Sequence, residues 1–366
     1  MFKTATIFAV TILVPGIAPM PAATATAPFR SPLAASFEPS WRFKQTATTN
    51  KLLIDDIVDK SVVWAVGGGG DAGSVVLTAD GGRSWRNVTP PGGAAKAFRA
   101  VEATDRDHAV VLAGGASAQI YRTVDGGATW HVVFEDASPG AYYDCMAFFD
   151  RRRGLAVSDP VDGHIRLAGT EDGGRSWRIL RNVKMPLAVD NETLISSGTC
   201  LQAAGTDAWF GTSTPAGVNN RVFTTRDGGR SWSVATTPLP GGDDTGISSL
   251  SFRDPRHGVA IGSDPRQPSD TLSTAAAITS DGGRTWTLAG ATSGFRVSVS
   301  WVPGQSRALI AVGGRSDIGG SDVSTDGGQT WRPFDHTPLT GIDCLRGAGC
   351  WAVGAGGLAA KLSYSH

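Results

Sequence analysis

Short apolar segments recur along the chain at nearly regular intervals, and each one ends in small residues. Seven of them occupy residues 64–67, 110–114, 155–158, 209–211, 259–262, 309–313 and 351–354. Another apolar stretch precedes each segment, usually across a polar turn such as Asp-Arg-Asp-His at residues 105–108. Apolar runs of this length bounded by turn residues are typical of short buried β-strands. The pattern therefore predicts an all-β chain made of many similar strands.

A turn motif of the form [Ser/Thr]-x-Asp-Gly-Gly-x-[Ser/Thr]-Trp follows six of the seven segments. Its acidic residues are Asp80, Asp125, Asp172, Asp227, Asp281 and Asp326. Asp-Gly-Gly between β-prone runs predicts a tight turn, because glycine adopts positive φ without steric cost and the Asp side chain accepts hydrogen bonds from nearby amides. We expect the Trp to be a buried packing anchor. A calcium site is not indicated, because each copy offers a single acid and calcium takes about six oxygens or more.

The two motifs together define a repeat of about 45 to 55 residues with four strands, which is the size of one propeller blade. Seven apolar segments accompany only six turn motifs, and the last unit stops at its third strand. Residues 40–46 near the N-terminus are similar to the sequence that follows a turn motif. We predict a seven-bladed β-propeller whose ring is closed by this N-terminal strand in the last blade. Six blades and a stray hairpin are the alternative.

The six turn motifs resemble the Asp-box, or BNR repeat, of sialidase-like β-propellers. With the seven apolar segments, they also give the chain a resemblance to the photosystem II stability and assembly factor family. The resemblance is closer to the exported bacterial members, which are often named oxidoreductases or glycosyl hydrolases, and residues 142–148 and 158–163 carry it. It implies the propeller fold and leaves the chemistry open, because Asp-boxes occur in enzymes and non-enzymes alike.

The N-terminal residues have the features of a secretory signal. A basic residue precedes an apolar run over residues 7–14, and a small-x-small triplet follows, so we expect residues 1–25 to be a signal peptide. Residues 26–38 are expected to be a flexible lead-in and residues 39–366 a single propeller domain. The apolar run is too short to span a bilayer, and no Cys comes directly after it as a lipoprotein anchor would need. We therefore predict a periplasmic or secreted protein without a membrane anchor.

Export would permit disulfide bonds, and the four cysteines allow three pairings. Cys145 and Cys200 each lie 27 residues before the next motif Asp, so they occupy equivalent places in adjacent repeats. Cys344 and Cys350 flank a short turn. We favour the pairs 145 with 200 and 344 with 350. Four buried thiols are the alternative, because strands of neighbouring repeats could lie farther apart than the roughly 7 Å between Cα atoms that a bridge spans.

Positions where the repeats leave their own consensus are candidates for function. The third and fifth apolar segments run into Ser-Asp-Pro, Tyr-Tyr-Asp precedes the third, and the long fourth repeat adds a Glu and an Arg. If these strand ends open on one face, they would converge near the central channel. The candidate ligand-binding residues are Tyr143, Asp144, Asp159, Glu192, Arg221 and Asp264. Arg99 and Arg296 would add cations to the rim.

The alternative for this cluster is structural. Asp-Pro would then only shape a turn, and Arg221 would pair with a neighbouring acid. Under the site hypothesis, Asp159→Ala or Glu192→Ala would leave the chain folded and alter binding.

A glycosidase is the rival functional class. Tyr142 or Tyr143 with Glu192 would supply a sialidase-like nucleophile and base, and the pair Asp144 and Asp159 would suit another glycosidase. The arginines that a sialidase needs are not found at identifiable places. No dinucleotide-binding motif lies between a strand and a helix, and the histidines show no ligand spacing, so we expect no cofactor and no metal.

The 33 basic and 33 acidic residues give no net charge, which does not favour a nucleic-acid partner. We therefore expect an exported monomer that acts as a binding or assembly scaffold for a protein segment or a small ligand such as a glycan. Glycoside hydrolysis at the same polar central site is the alternative.

Overall fold

The structure, a computed structural model, describes residues 37–68, 72–115, 117–195, 199–242, 245–262, 275–314 and 319–365. Regular structure within these ranges consists of β-strands and two short 3-10 turns. None of the described segments is a helix long and apolar enough to cross a membrane. The expected signal peptide, most of the expected lead-in and Asp264 lie outside the described residues.

Four-stranded antiparallel sheets account for all the strands. The strands of the first three blades and the strand that precedes them are β1 (Glu38–Gln45), β2 (Leu52–Ile57), β3 (Val63–Gly67), β4 (Ser74–Thr78), β5 (Arg86–Asn87), β6 (Phe98–Ala103), β7 (Ala109–Ala113), β8 (Ala118–Thr123), β9 (His131–Asp136), β10 (Tyr143–Phe148), β11 (Gly154–Val161), β12 (His164–Thr170) and β13 (Arg178–Ile179). Blade 1 is β2 to β5, blade 2 is β6 to β9 and blade 3 is β10 to β13.

The remaining blades follow the same order. Their strands are β14 (Leu201–Ala204), β15 (Asp207–Gly211), β16 (Asn219–Thr225), β17 (Ser233–Pro240), β18 (Ile247–Phe252), β19 (Gly258–Gly262), β20 (Ala275–Thr279), β21 (Thr287–Leu288), β22 (Ser298–Trp301), β23 (Leu309–Gly314), β24 (Gly319–Ser324), β25 (Arg332–Asp335), β26 (Leu339–Leu345), β27 (Gly349–Gly354) and β28 (Leu358–Ser365). Blades 4, 5 and 6 each take four consecutive strands, and blade 7 takes β26, β27, β28 and β1.

The first strand of every blade lies innermost, because it contacts the first strands of the two neighbouring blades around the ring. Blade 7 is completed from the other end of the chain, since β1 pairs with β28 in an unbroken antiparallel register from Glu38 opposite Ser365 to Gln45 opposite Leu358. The predicted seven-bladed propeller and its closure by the N-terminal strand are confirmed.

The strand order defines two faces of the ring. We call the face with the turns between first and second strands the turn face, and the Asp-boxes lie on it too, because they join third to fourth strands. The opposite face, which we call the loop face, carries the connections between blades and the starts of the inner strands. Tyr143, Asp144, Asp159 and Arg221 lie near strand ends on the loop face, and Glu192 lies in the connection between blades 3 and 4.

Each Asp-box is closed by the same four hydrogen bonds. In the first box, Thr78 Oγ1 donates to Asp80 Oδ1 over 2.9 Å and accepts from the amide of Gly82 over 2.9 Å. The Ser84 amide donates to Asp80 Oδ1 over 2.9 Å, and the Ser84 hydroxyl to Oδ2 over 2.6 Å. Both glycines have positive φ, 71° at Gly81 and 80° at Gly82. The Asp is thus committed to the turn.

The second glycine of each box also faces the preceding blade. A Cβ on Gly82 would lie 2.4 Å from the Trp351 ring of blade 7, and one on Gly174 would lie 2.7 Å from Val110 of blade 2. The box Trp packs nearby: Trp85 meets Trp351 edge-on with ring centroids 5.9 Å apart. Trp177, Trp232 and Trp286 are buried and the other three are partly exposed, so the expected burial is complete in three boxes.

Both predicted disulfide bonds are present. Cys145 of β10 bonds Cys200, which directly precedes β14, with Cα atoms 5.9 Å apart. Neighbouring repeats come this close because their inner strands are adjacent at the channel. Cys344 and Cys350 are directly opposite in the β26–β27 pair, with Cα atoms 4.1 Å apart.

Candidate functional site

Glu192 and Arg221 form a buried ion pair on the loop face. Arg221 donates from Nε to Glu192 Oε1 over 2.9 Å and also from Nη2 to Oε2. The same carboxylate accepts from the Thr212 hydroxyl over 2.5 Å and from the Val189 amide over 2.9 Å. The Glu192 side chain has no exposed surface. This carboxylate is therefore neutralised and fully hydrogen-bonded.

Asp159 supports the same loop from the other side. Its Oδ1 accepts from the Leu194 amide over 2.7 Å, and Arg221 Nη2 donates to the Leu187 carbonyl over 3.0 Å. Burial raises the pKa of Asp159 above its ordinary value. The structure thus brings Asp159, Glu192 and Arg221 together around residues 187–194, where their polar atoms hold the backbone of that loop.

Tyr143 lies in the core between blades 2 and 3. The residue is completely buried, and its hydroxyl donates to Asp136 Oδ2 over 3.2 Å. Arg166 donates from Nε to the same oxygen over 2.7 Å. Burial, and then the Asp136 carboxylate, raise the pKa of Tyr143. A buried phenol with a raised pKa is a poor nucleophile, so the geometry does not support Tyr143 as a sialidase-like nucleophile.

Asp144 and the two rim arginines also form ion pairs, with Asp144 and Arg296 buried and Arg99 partly buried. Arg99 Nε lies 3.9 Å from Asp144 Oδ1, and Arg296 Nη2 donates to Asp322 Oδ1 over 2.9 Å. Asp322 also accepts from the Ser293 hydroxyl over 2.7 Å. Sequence reasoning had singled out Arg99 and Arg296 but missed Asp322, which lies inside β24 just ahead of the sixth box.

The turn face, in contrast, opens into two adjoining cavities. One, of about 660 Å³, lies at the mouth of the central channel and is lined by inner strands and turns of blades 2 to 7; we call it the vestibule. The other, of about 790 Å³, runs outward between blades 2 and 3 and is called the side groove. Glu102 and Phe148 line both cavities, so the two adjoin.

The side groove is rich in arginine. Its basic lining residues include Arg122, Arg151, Arg152 and Arg175. None of these four forms an ion pair with another described residue. The acids beside them are occupied: Asp150, for example, accepts the Arg152 and Arg153 amides over 2.8 and 2.9 Å. The groove therefore offers cations to an occupant.

Deeper in the channel lies an acidic cluster that sequence reasoning did not select, formed by Asp55, Asp56, Glu102 and Asp343. Asp56, Glu102 and Asp343 occupy equivalent positions of the inner strands β2, β6 and β26, opposite Trp64, Val110 and Trp351 respectively. Asp56 Oδ2 accepts from the Ala103 amide over 2.6 Å, and Asp343 Oδ2 from the Ile57 amide over 3.0 Å, so each carboxylate joins its blade to the next.

Burial raises the pKa of all four acids. It brings the pKa of Asp56 to about 8, with the nearby Asp343 carboxylate adding to the shift. The pKa values of Asp55, Glu102 and Asp343 are raised for the same first reason. The sequence does contain a signal for this cluster, because charged residues lie inside otherwise apolar strands, as in Leu-Leu-Ile-Asp-Asp-Ile of β2. Within the described part of the chain, no three His, Cys, Asp or Glu side chains are arranged to hold a metal ion.

Comparison with known proteins agrees with this architecture. A BNR/Asp-box repeat family matches residues 322–333, which include the sixth box. No curated protein matches the chain in sequence. Among solved structures, YCF48 bound to a D1 peptide superposes with a TM-score of 0.61 and 16% identity, over 89% of this chain and 95% of that one.

Two other solved structures share the fold. YCF48 from Cyanidioschyzon merolae gives a TM-score of 0.56 and 19% identity, over 88% of this chain and 98% of that one. The GH74 xyloglucanase from Xanthomonas campestris gives 0.58 and 16% identity over 88% of this chain, which spans only 53% of the xyloglucanase. Identities this low establish a common fold alone. The chain is a seven-bladed β-propeller with six Asp-box turns, the last of which matches the BNR/Asp-box repeat, and it has the fold of YCF48 and of the GH74 propellers.

Proposed function

We propose that this protein is an exported binding scaffold that holds an extended protein segment across its turn face. The observation that carries the proposal is the pair of adjoining cavities on this face, the vestibule and the side groove, taken together as one depression. It is open rather than enclosed, and its lining extends from the inner strands of blades 4 to 7 to the turns of blades 2 and 3. An open site of this extent suits a chain segment better than a small molecule that must be buried on most sides. The solved YCF48 complex with a D1 peptide supports this class of function for the fold.

The loop-face candidates favour the same functional class. Glu192 is neutralised by Arg221, and Asp159 is hydrogen-bonded to the backbone, as expected for acids that hold a structure together. In this proposal they position the loop at residues 187–194, and the ligand contacts lie on the opposite face. Two disulfide bonds support an oxidising compartment and thus export.

The charge of the side groove defines the partner further. Arginines without acidic partners bind carboxylates well, because the planar guanidinium donates two parallel hydrogen bonds. We therefore expect the bound segment to carry acidic side chains where it crosses Arg151 and Arg152, which are both exposed.

Selection of displayed random peptides on the immobilised propeller tests this proposal. We expect enriched peptides with acidic positions, and at least a tenfold weaker affinity for the variant Arg151→Glu with Arg152→Glu. The control is Arg42→Glu with Lys44→Glu, which makes the same charge change on the exposed outer strand β1. Failure to enrich any sequence, or equal weakening in both variants, would count against a site in the groove.

Glycoside hydrolysis is the second candidate, because Glu102 and Asp343 both line the vestibule. A retaining or inverting glycosidase pairs a protonated acid with an ionised carboxylate. Here burial raises the pKa of both residues, which leaves neither one suited to be the ionised partner. Release of reducing ends from xyloglucan oligosaccharides, abolished by both Glu102→Gln and Asp343→Asn, would replace the scaffold proposal with this one.

A further inference from the structure

The channel narrows beyond the vestibule into a small cavity of about 110 Å³. All four members of the acidic cluster line it. Glu102, Asp343, Thr199 and Leu201 also line the vestibule, so the wide and the narrow space adjoin. The resulting passage is a funnel that is widest at the turn face.

Asp55 lies in the wall of this narrow cavity with a carboxylate that lacks a partner. The residue is only 6% exposed, and neither Oδ1 nor Oδ2 has a hydrogen-bond partner within the described residues. Buried polar groups are nearly always hydrogen-bonded, and an unsatisfied one needs an explanation. The backbone amides of Asp55 and Asp343 lie near this carboxylate and lower its pKa, but neither forms a hydrogen bond of normal geometry with it. Asp56 and Asp343 differ, because each accepts a backbone amide from another blade.

The acidic groups around Asp55 favour the binding of a cation. Its neighbours Asp56 and Asp343 raise its pKa further, after burial. The one basic group in the cavity wall is Arg99, whose Nε lies near Asp144, 3.9 Å from Oδ1. No ion pair joins Arg99 to any of the four acids among the described residues.

The size and shape of the narrow cavity favour one kind of cation. A metal ion is not favoured, because the described residues offer no group of ligands at metal-binding spacing. The narrow space could hold about three or four waters, each taking roughly 30 Å³. A primary ammonium on an unbranched stem fits such a funnel, since its three donors can reach several carboxylates while the stem contacts Leu201 and its apolar neighbours.

We propose that the narrow cavity binds a primary alkylammonium group, delivered through the vestibule on a linear aliphatic stem. Two sources share this chemistry: the lysine side chain of a protein and a free aliphatic diamine. The site is separate from the arginine-lined side groove, and it does not depend on the binding of an acidic segment there.

Calorimetric titration of the whole mature protein at pH 8 tests the site. The probes are Nα-acetyl-lysine methylamide, 1,5-diaminopentane and the uncharged Nα-acetyl-norleucine methylamide. We expect one site for the ammonium probes and at least tenfold weaker binding of the norleucine probe. Tighter binding of the lysine probe than of the diamine would identify a protein source, and the reverse order would identify a free diamine.

Two variants locate the binding. Asp55→Asn keeps the shape and removes the carboxyl group that pairs with the ammonium in the bound state, and we expect it to weaken the ammonium probes at least tenfold. Glu171→Gln is the matched control, since that side chain is 71% exposed and lines neither the vestibule nor the narrow cavity, and it should change nothing. If Asp55→Asn lowers the melting temperature, the same comparison with Asp56→Asn replaces it.

Proton release provides a second readout. Protonated carboxyls in the cluster must lose protons to pair with an ammonium, so the binding heat should vary with the ionisation enthalpy of the buffer, and affinity should fall from pH 8 to pH 5. The charged groups that face the cavity are the four acids and Arg99. Unchanged affinity in both Asp variants, or equal binding of the norleucine probe, would overturn the proposal and leave the displayed-peptide result untouched.

Discussion

At the scale of single residues, the second glycine of the Asp-box has two structural roles. It needs positive φ for the turn and also leaves room for the preceding blade, and these two demands can be separated by substitution. Gly82 has φ 80° and a Cβ there would meet Trp351 at 2.4 Å, whereas Gly140 has φ 78° and open space around it.

We predict that Gly82→Ala destabilises the propeller by roughly 3 kcal/mol or more, and Gly140→Ala by only about 1–2 kcal/mol. The larger loss reflects backbone strain plus a clash with the Trp351 ring, and the smaller one reflects strain alone. Denaturant unfolding of both variants measures the difference. Equal losses would mean that the box glycine serves only the turn.

For Glu192, the ligand-binding hypothesis and the structural hypothesis for the loop face predict different results. We expect Glu192→Ala to destabilise the protein by roughly 3–5 kcal/mol, because Arg221 would remain largely buried without its counterion. Glu171→Ala, which removes an exposed acid, should cost less than about 1 kcal/mol. Thermal unfolding distinguishes them, and a fully stable Glu192→Ala variant with altered ligand binding would restore the site hypothesis.

At the scale of secondary-structure elements, the two disulfide bonds differ in which strands they join. The 145–200 bond ties the inner strand of blade 3 to the residue before the inner strand of blade 4. Between the last strand of blade 3 and the first strand of blade 4 lies the longest connection between blades in the described chain. The 344–350 bond only spans a hairpin that its own strand pairing already holds.

The two disulfide bonds should therefore differ in their contribution to stability. Chain-entropy arguments give about 4 kcal/mol for the sequence separation of 55 and about 2 kcal/mol for the separation of 6. We expect Cys145→Ser with Cys200→Ser to lower the denaturant midpoint more than Cys344→Ser with Cys350→Ser. Since Cys145 and Cys200 also line the narrow cavity, the first variant should bind ammonium probes more weakly.

At the scale of the whole molecule, the carboxylates fall into two groups with opposite dependence on pH. Hydrogen bonds from Ser84 lower the pKa of Asp80 to about 2, and three other box acids are lowered to about the same value. The channel acids are raised, with Asp56 at about 8. The boxes lie in the turns, open to water, whereas the channel acids are packed against one another.

The two groups predict a stability maximum near pH 4 to 5. A box acid with a lowered pKa contributes stability above its ordinary value near 4, and this is lost as pH falls toward about 2. A channel acid with a raised pKa contributes below that ordinary value, and its contribution is lost as pH rises toward about 8. Melting temperatures from pH 2 to 9 check this, and Asp56→Asn should flatten the alkaline side only.

The elements were more predictable from sequence than the site. Repetition reveals the boxes, and the constant offset of Cys145 and Cys200 from a box reveals their pairing. The partners Asp136, Asp322 and Arg166 could not be found that way, because each ion pair joins different strands and no spacing rule links them. Asp55 is visible in the sequence, but only the closed ring shows that it lines one cavity with three other acids.

Closure by β1 also affects how the chain acquires its fold. β1 leaves the ribosome about 320 residues before its partner β28, which at 5–20 residues per second is roughly 15–60 s. Until then the first strand has no edge to join, and no shorter product can complete the ring. Because Glu38 lies opposite Ser365, a circular permutant of residues 37–365 with joined ends, reopened at the turn near Gly140, would convert the slowest contact into a local hairpin. Such a permutant should refold faster than the natural order, since loop closure of that strand pair no longer spans the whole chain.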